Sequence, residues 1–265
     1  MSHPTPSDAL VLRERDARGV VRLTLNRGSA FNSLSEGVLA ALQTELEAVA
    51  ADESARVVVL GGAGRAFCAG HDLKEMRAAP SQGYYERLFA QCGHMMMTIQ
   101  RLPVPVIARV HGIATAAGCQ LVAMCDLAVA AQEARFAVSG VNLGLFCSTP
   151  SVALSRNVPR KAAFEMLVTG RFVDAQEALR LGLVNRVVPA ENLDDEVQAL
   201  ADAIVAKPRT ALALGKALFY RQLETGIEAA YADAARTMAC NMMDEDALEG
   251  VQAFIDKRPA AWQGR

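Results

Sequence analysis

Apolar and polar residues alternate over 11–15 and again over 20–26, on either side of Asp16-Ala17-Arg18-Gly19. This period of two around a turn sequence predicts a β-hairpin. After it the period changes. Ser35 can accept a first-turn NH, and Val38, Leu39, Leu42, Leu46 and Val49 recur at helical spacing, so a capped helix is expected. Val57-Val58-Val59-Leu60 is a continuous apolar run closed by Gly61-Gly62, which suits a strand buried on both faces; 106–110 and 127–130 read the same way. Between them a helix is expected over 82–101, stopping before Pro103 and Pro105. This alternation implies parallel crossovers and an α/β core. Beyond roughly Pro150 the pattern predicts helix after helix, over 161–168, 174–181, 193–206, 210–224, 227–242 and 245–257, punctuated by Pro189, Pro208 and Pro259. No internal repeat and no low-complexity linker interrupts the 265 residues.

Composition narrows the chemistry. The chain is 52% hydrophobic, enough for a substantial core, and its formal charge is -2, from 27 Lys+Arg against 29 Asp+Glu. Without a basic block, and with few aromatic residues to stack on bases, nucleic acid is not an expected partner. The first residues, MSHPTPSDALVLRERD, lack the basic and apolar regions of a secretory signal, and no apolar run is long enough to span a bilayer; a cytoplasmic protein without a membrane partner is expected. The six cysteines have no metal-site or CxxC spacing and are expected to be reduced, mostly as small core residues. His71, His94 and His111 suggest no metal site, Gly61-Gly62-Ala63-Gly64 lacks the Lys-Ser/Thr ending of a nucleotide loop, and no Gly-x-Ser-x-Gly elbow is present.

Two segments rich in small residues, 61–73 and 111–126 (HGIATAAGCQLVAMCD), each follow a predicted buried strand and precede helical sequence. Backbone NH groups at two such turns could together bind an oxyanion on a carbonyl. The same small residues also permit plain tight turns, and on the residues alone that reading comes first.

Taken together, RAFCAGHDLKEM (65–76) and VHGIATAAGCQLVAMCD (110–126) resemble the two signature segments of the enoyl-CoA hydratase/isomerase, or crotonase, superfamily. LNRGSAFNSL (25–34), TGRFVDAQEALRLGLVN (169–185) and EGVQAFIDKR (249–258) resemble its other segments, in order. The resemblance implies an α/β fold with a spiral core of ββα units and a C-terminal helical region, divided here as 1–200 (core) and 201–265 (helical, oligomerising). It also implies trimers or hexamers acting on acyl-CoA thioesters, with coenzyme A as part of the substrate, no permanently bound cofactor and no metal. Position matching puts the family's two oxyanion NH groups at His71 and Ala117, the latter where glycine is usual. The two glutamates with which crotonase-type hydratases activate water match Gln120 and Gly140, so neither is present.

The closest resemblance is to a subgroup, the enoyl-CoA hydratase domain-containing proteins, which also lack both glutamates. It is carried by HDLKE, ATAAGCQ, GVNLGLFCSTP and VPRKAAFEML. For coenzyme A, the resemblance implies contacts from Arg27, Ala30, Ala69, Asp72 and Leu73, Lys74 near the phosphates, and Phe254 and Lys257 at the nucleotide end; Ser29 replaces the usual basic residue. Among side chains near the thioester, His71 is the best titratable group, and Cys147 is expected to be a buried thiol. The implied function is an acyl-CoA enzyme that polarises the thioester carbonyl. The alternatives are a silent acyl-CoA-binding or scaffold protein, or a malonyl-type decarboxylase. Gln120→Glu together with Gly140→Glu is expected to raise hydratase activity if the pocket is intact.

Overall fold

The predicted hairpin forms as β1 (Val11–Arg15) and β2 (Val20–Leu25), antiparallel with Val11 opposite Leu25. The computed structural model describes residues 9–78 and 80–263. Helix α1 (Glu36–Ala50) starts where Ser35 accepts the Val38 NH at 3.2 Å and buries the predicted stripe from Val38 to Val49. β3 (Val57–Gly62) then lies parallel to β2. Val58 and Leu60 enter the main core while Val57 and Val59 enter a second one on the opposite face, so this strand is buried on both sides as its composition predicts.

Next come β4 (Ala66–Cys68), α2 (Leu73–Ala78) and α3 (Gln82–Arg101), then β5 (Val106–Val110), β6 (Ile113–Thr115) and α4 (Ala117–Met124), then β7 (Leu127–Ala131), β8 (Arg135–Ala137) and α5 (Ser148–Asn157). Three times the chain lays one strand in a large sheet, the next in a small one, and then a helix. The large sheet includes β3, β5 and β7 side by side; the small sheet includes β4, β6 and β8, parallel to one another. These are ββα units, as the family resemblance implies.

The region after 150 differs from the all-helical expectation. After α6 (Arg160–Thr169), β9 (Val173–Asp174) closes the small sheet antiparallel to β8; after α7 (Ala175–Arg180), β10 (Arg186–Val188) closes the large sheet beside β7. Both strands are too short to show a period of two, and Asp174 also caps α7 by accepting the Glu177 NH at 2.7 Å. Helix α8 (Leu193–Val205) runs through the 200/201 division, and its Leu193, Val197 and Ala201 cover the second core, so it belongs with the sheet. α9 (Arg209–Gln222), α10 (Ile227–Asn241) and α11 (Glu245–Ile255) follow, with few buried residues of their own. Among the described residues no helix is long and apolar enough to cross a membrane, and no His/Cys/Asp/Glu cluster could hold a metal ion.

Candidate active site

The site is built at the carboxyl ends of β4, β6 and β8, where parallel strands release their chains into turns. After β4, the segment 69–72 is held by 31–34: Ala69 NH donates to Phe31 O (3.0 Å), Leu34 NH to Gly70 O (2.8 Å) and Asp72 NH to Leu34 O (3.2 Å). These bonds use the groups on either side of His71, so its own NH faces the other way. After β6, α4 begins at Ala117, and the helix's first bond runs from Gln120 NH to Ala116 O (3.0 Å). The Ala117 NH therefore has no acceptor inside the helix.

The two turns are pressed together. Thr115 Oγ1 donates to Ala69 O at 3.1 Å. Gly70 has φ +88°, and a Cβ there would lie 3.0 Å from both Ala116 Cβ and Thr115 O and 3.3 Å from the Ala117 nitrogen. Gly118 meets Cys68 O so closely that any side chain would collide. Ala117, where glycine is usual, is helical, and the left-handed backbone falls one residue earlier: Ala116 has φ 49° and ψ -119°, a conformation that favours glycine.

A cavity of about 380 Å³ opens beside these turns, and its wall brings together His71, Ala117, Gly140, Ala69 and Leu73 of the expected residues, with Cys147. The His71 ring stands edge-on to Phe89, with centroids 5.5 Å apart, and neither ring nitrogen has a hydrogen-bond partner. Burial, only partly offset by the nearby Leu34 backbone, pushes its pKa below the ordinary histidine value, so the ring is neutral at pH 7. Gln120 is 5% exposed, its Oε1 has no donor, and it does not reach the wall.

Gly140 is closed over. Its NH donates to Cys147 Sγ at 3.2 Å and its carbonyl accepts the Leu145 NH at 3.0 Å. A Cβ there would run into Leu145 O and sit 2.8 Å from Cys147 Sγ. Cys147 is buried, as are the other described cysteines except Cys240; burial raises its thiol pKa, against the Gly140 NH that favours thiolate. The geometry reverses the expectation that two glutamates would restore hydration. The Gln120→Glu, Gly140→Glu variant should show no gain with crotonyl-CoA. Gly140→Glu alone should cost about 1–3 kcal/mol by overpacking. Hydration above the wild-type rate in a folded double variant, measured beside a thermal melt, would show that the 141–147 loop opens.

The residues expected at coenzyme A divide into two groups. Arg27 pairs with Asp72 at 2.7 Å and donates to Ser33 Oγ at 3.0 Å. Asp72 also caps α2 by accepting the Lys74 and Glu75 NH groups. Burial works against its charge, but Arg27 and these NH groups outweigh it and hold its pKa below the usual carboxylate value. Ala30 lies in a short 3-10 turn of the same loop, and Lys74 is exposed at the start of α2. Phe254, 85% exposed, lies beside Trp262 at a separate cavity, and Lys257 follows the end of α11; neither joins the 380 Å³ cavity in a single chain.

Sequence reasoning missed Asn32. It is fully buried, accepts the Arg27 NH at 2.9 Å, and donates to Ala63 O (2.8 Å), Ala66 O (2.8 Å) and Phe67 O (3.1 Å), fastening the 27–33 loop to β4. Its φ is 54°, in the left-handed region that Asn tolerates better than most residues.

The enoyl-CoA hydratase/isomerase family model matches residues 15–265. A crystal structure of enoyl-CoA hydratase from Mycobacterium smegmatis is 71% identical, with a TM-score of 0.95 and coverage of 96% of this chain and 98% of that one. That of human enoyl-CoA hydratase domain-containing protein 3 is 43% identical, with a TM-score of 0.92, covering 96% and 100%. The mitochondrial enoyl-CoA hydratase domain-containing protein 3 of Rattus norvegicus is 44% identical over 97% of this chain and 85% of its own length. With the alternating two-sheet units and the paired turns already in view, these matches establish that the chain belongs to the enoyl-CoA hydratase/isomerase, or crotonase, family.

Proposed function

We propose that this protein binds an acyl-CoA thioester with its acyl group in the 380 Å³ cavity and its carbonyl oxygen between the NH groups of His71 and Ala117. Its reaction is one that needs a stabilised oxyanion but no carboxylate acid or base. One observation carries this reading: among the described residues, the cavity wall contains no Asp or Glu, and its titratable side chains are His71 and Cys147. Loss of CO2 from a malonyl-type thioester meets the requirement. Breaking the bond to the carboxylate leaves the electron pair on the thioester enolate, and no proton has to be removed first. A single oxyanion donor typically contributes about 10²- to 10³-fold to rate. An apolar wall also favours a step in which the acyl group loses its charge.

In the same reading, Lys74 meets the phosphates, and Phe254 and Lys257 meet the nucleotide across a subunit contact in a trimer. Their exposure in the single chain fits that role. The test is a mass-spectrometric turnover panel of malonyl-CoA, methylmalonyl-CoA and crotonyl-CoA. The expected result is CO2 loss from a malonyl-type thioester with little hydration of crotonyl-CoA. Tight binding of all three without turnover would make the protein a silent acyl-CoA binder, and efficient crotonyl-CoA hydration would overturn the proposed chemistry.

A further inference from the structure

After α11 the chain turns back and is fastened along that helix. Arg258 holds the Glu249 carboxylate with both terminal nitrogens, at 2.7 and 2.9 Å, and the Ala261 NH donates to the same group at 2.8 Å. Arg258 and the Ala261 NH hold the Glu249 carboxyl down at about 2, so this clasp stays charged through neutral pH. Trp262 Nε1 donates to Ala206 O at 3.0 Å, at the corner between α8 and α9, and the Gln263 NH donates to Asp246 Oδ1 at 2.6 Å. Asp246 is buried in the first turn of α11. The Trp262 ring lies against Gly250, where a Cβ would stand 3.1 Å from two ring carbons.

The turn that starts this segment is strained. The Lys257 NH donates to Phe254 O at 3.2 Å and the Arg258 NH to Ala253 O at 3.0 Å, a helix ending that usually has glycine where Lys257 stands, at φ 56°. A lysine is costly there, and such a conformation persists only where surrounding bonds hold it. Phe254 lies one turn beyond Gly250 on the same face of α11 and lines a cavity with Trp262. The segment 258–263 therefore fixes the two residues that the acyl-CoA reading places at the nucleotide. We infer that residues 258–263 form a strap that positions Phe254 and Lys257 for the nucleotide end of a CoA thioester, with Trp262 and Glu249 as positioning residues. This inference rests on the acyl-CoA reading above and adds to it residues that act through α11. With the strap released, the left-handed turn loses its anchor and α11 its tie to the α8–α9 corner. Binding must then order the lysine and the ring, and that ordering lowers affinity.

Calorimetric titration with coenzyme A itself tests this, beside a thermal melt of each variant. Trp262→Ala should weaken binding about tenfold and the milder Glu249→Gln about threefold, the scale on which ordering one or two side chains opposes binding. Trp262→Phe, which keeps a ring against Gly250, should retain most of the affinity. Trp262 is the single tryptophan of the chain, so acrylamide quenching of its emission reports strap release and should rise in Glu249→Gln. A positioning role also predicts coupling: in a Phe254→Ala, Lys257→Ala background, Trp262→Ala should change CoA affinity by less than about twofold. Should Trp262→Ala not fold, Glu249→Gln carries the same comparison. Unchanged affinity in the strap variants, or the same loss in both backgrounds, would overturn the inference and leave the acyl-CoA reading intact. If wild-type protein does not bind CoA, or Phe254→Ala, Lys257→Ala binds it as well as wild type, the proposed nucleotide contact itself fails.

Discussion

Asn32→Ala should destabilise the protein by about 3 kcal/mol or more, since each buried polar group left unpaired costs about 1–3 kcal/mol. The substitution removes the two amide hydrogens that the carbonyls of Ala63, Ala66 and Phe67 share, and the oxygen that accepts the Arg27 NH. It also leaves alanine at φ 54°, where asparagine is better tolerated. For a domain of this size the melting temperature should fall by roughly 6 °C or more. Asn32→Asp separates hydrogen bonding from packing, because it keeps the shape but loses both donors and faces three carbonyl oxygens with a carboxylate. It should be at least as damaging as alanine. If both variants melt within about 2 °C of wild type, the amide is not what holds this loop. The effect should reach the site, because the strand that Asn32 fastens leads from Cys68 through Gly70 to His71.

That buried amide marks where sequence reading stopped. Strands of four or more apolar residues, such as 57–60 and 127–130, announced themselves because burial on both faces demands a continuous apolar run. β4, β6 and β8 did not. Three residues cannot display a period, yet these strands make the second sheet and aim the site turns. The small-residue segments raised the idea of paired NH donors, and the family resemblance placed it at His71 and Ala117. Single-residue matching could not show that the strained backbone falls on Ala116. Nor could it show that Cys147 and Leu145 occupy the space a side chain at 140 would need, because that depends on how the 141–147 loop folds back. Nothing in the sequence sets Asn32 apart from other polar residues of the 25–34 segment, or Lys216 from other charges on the helix predicted over 210–224. Burial of a polar group is a property of the neighbours that supply its bonds, and the carbonyls that accept from Asn32 and Lys216 lie 31 to 117 positions away along the chain.

Lys216→Met should cost about 3–5 kcal/mol, the usual penalty for removing one partner of a buried ion pair. The Lys216 side chain is 6% exposed, and all three ammonium donors are used, on Ile99 O (2.9 Å), Val104 O (3.0 Å) and Asp126 Oδ2 (2.7 Å). Burial pushes the lysine pKa down while Asp126 pulls it up. Without the ammonium, the Asp126 carboxylate would keep only the Val106 NH and the Tyr220 hydroxyl, both at 2.7 Å. Methionine fills much the same space, so the loss should come from the stranded charge and two unpaired carbonyls more than from packing. This makes the pair separable from generic core damage. In an Asp126→Asn background, where no charge is left behind, Lys216→Met should cost at least about 1 kcal/mol less than in wild type, as coupled neighbours do. Thermal or urea unfolding of the four proteins in this cycle measures both numbers, and additive effects would mean that the two residues act independently. The position of the pair gives the result its wider use. Asp126 ends the segment that carries Ala117 and Gln120, and Lys216 is the buried residue of α9, so this bond ties the C-terminal helices to the helix that forms one side of the proposed oxyanion site.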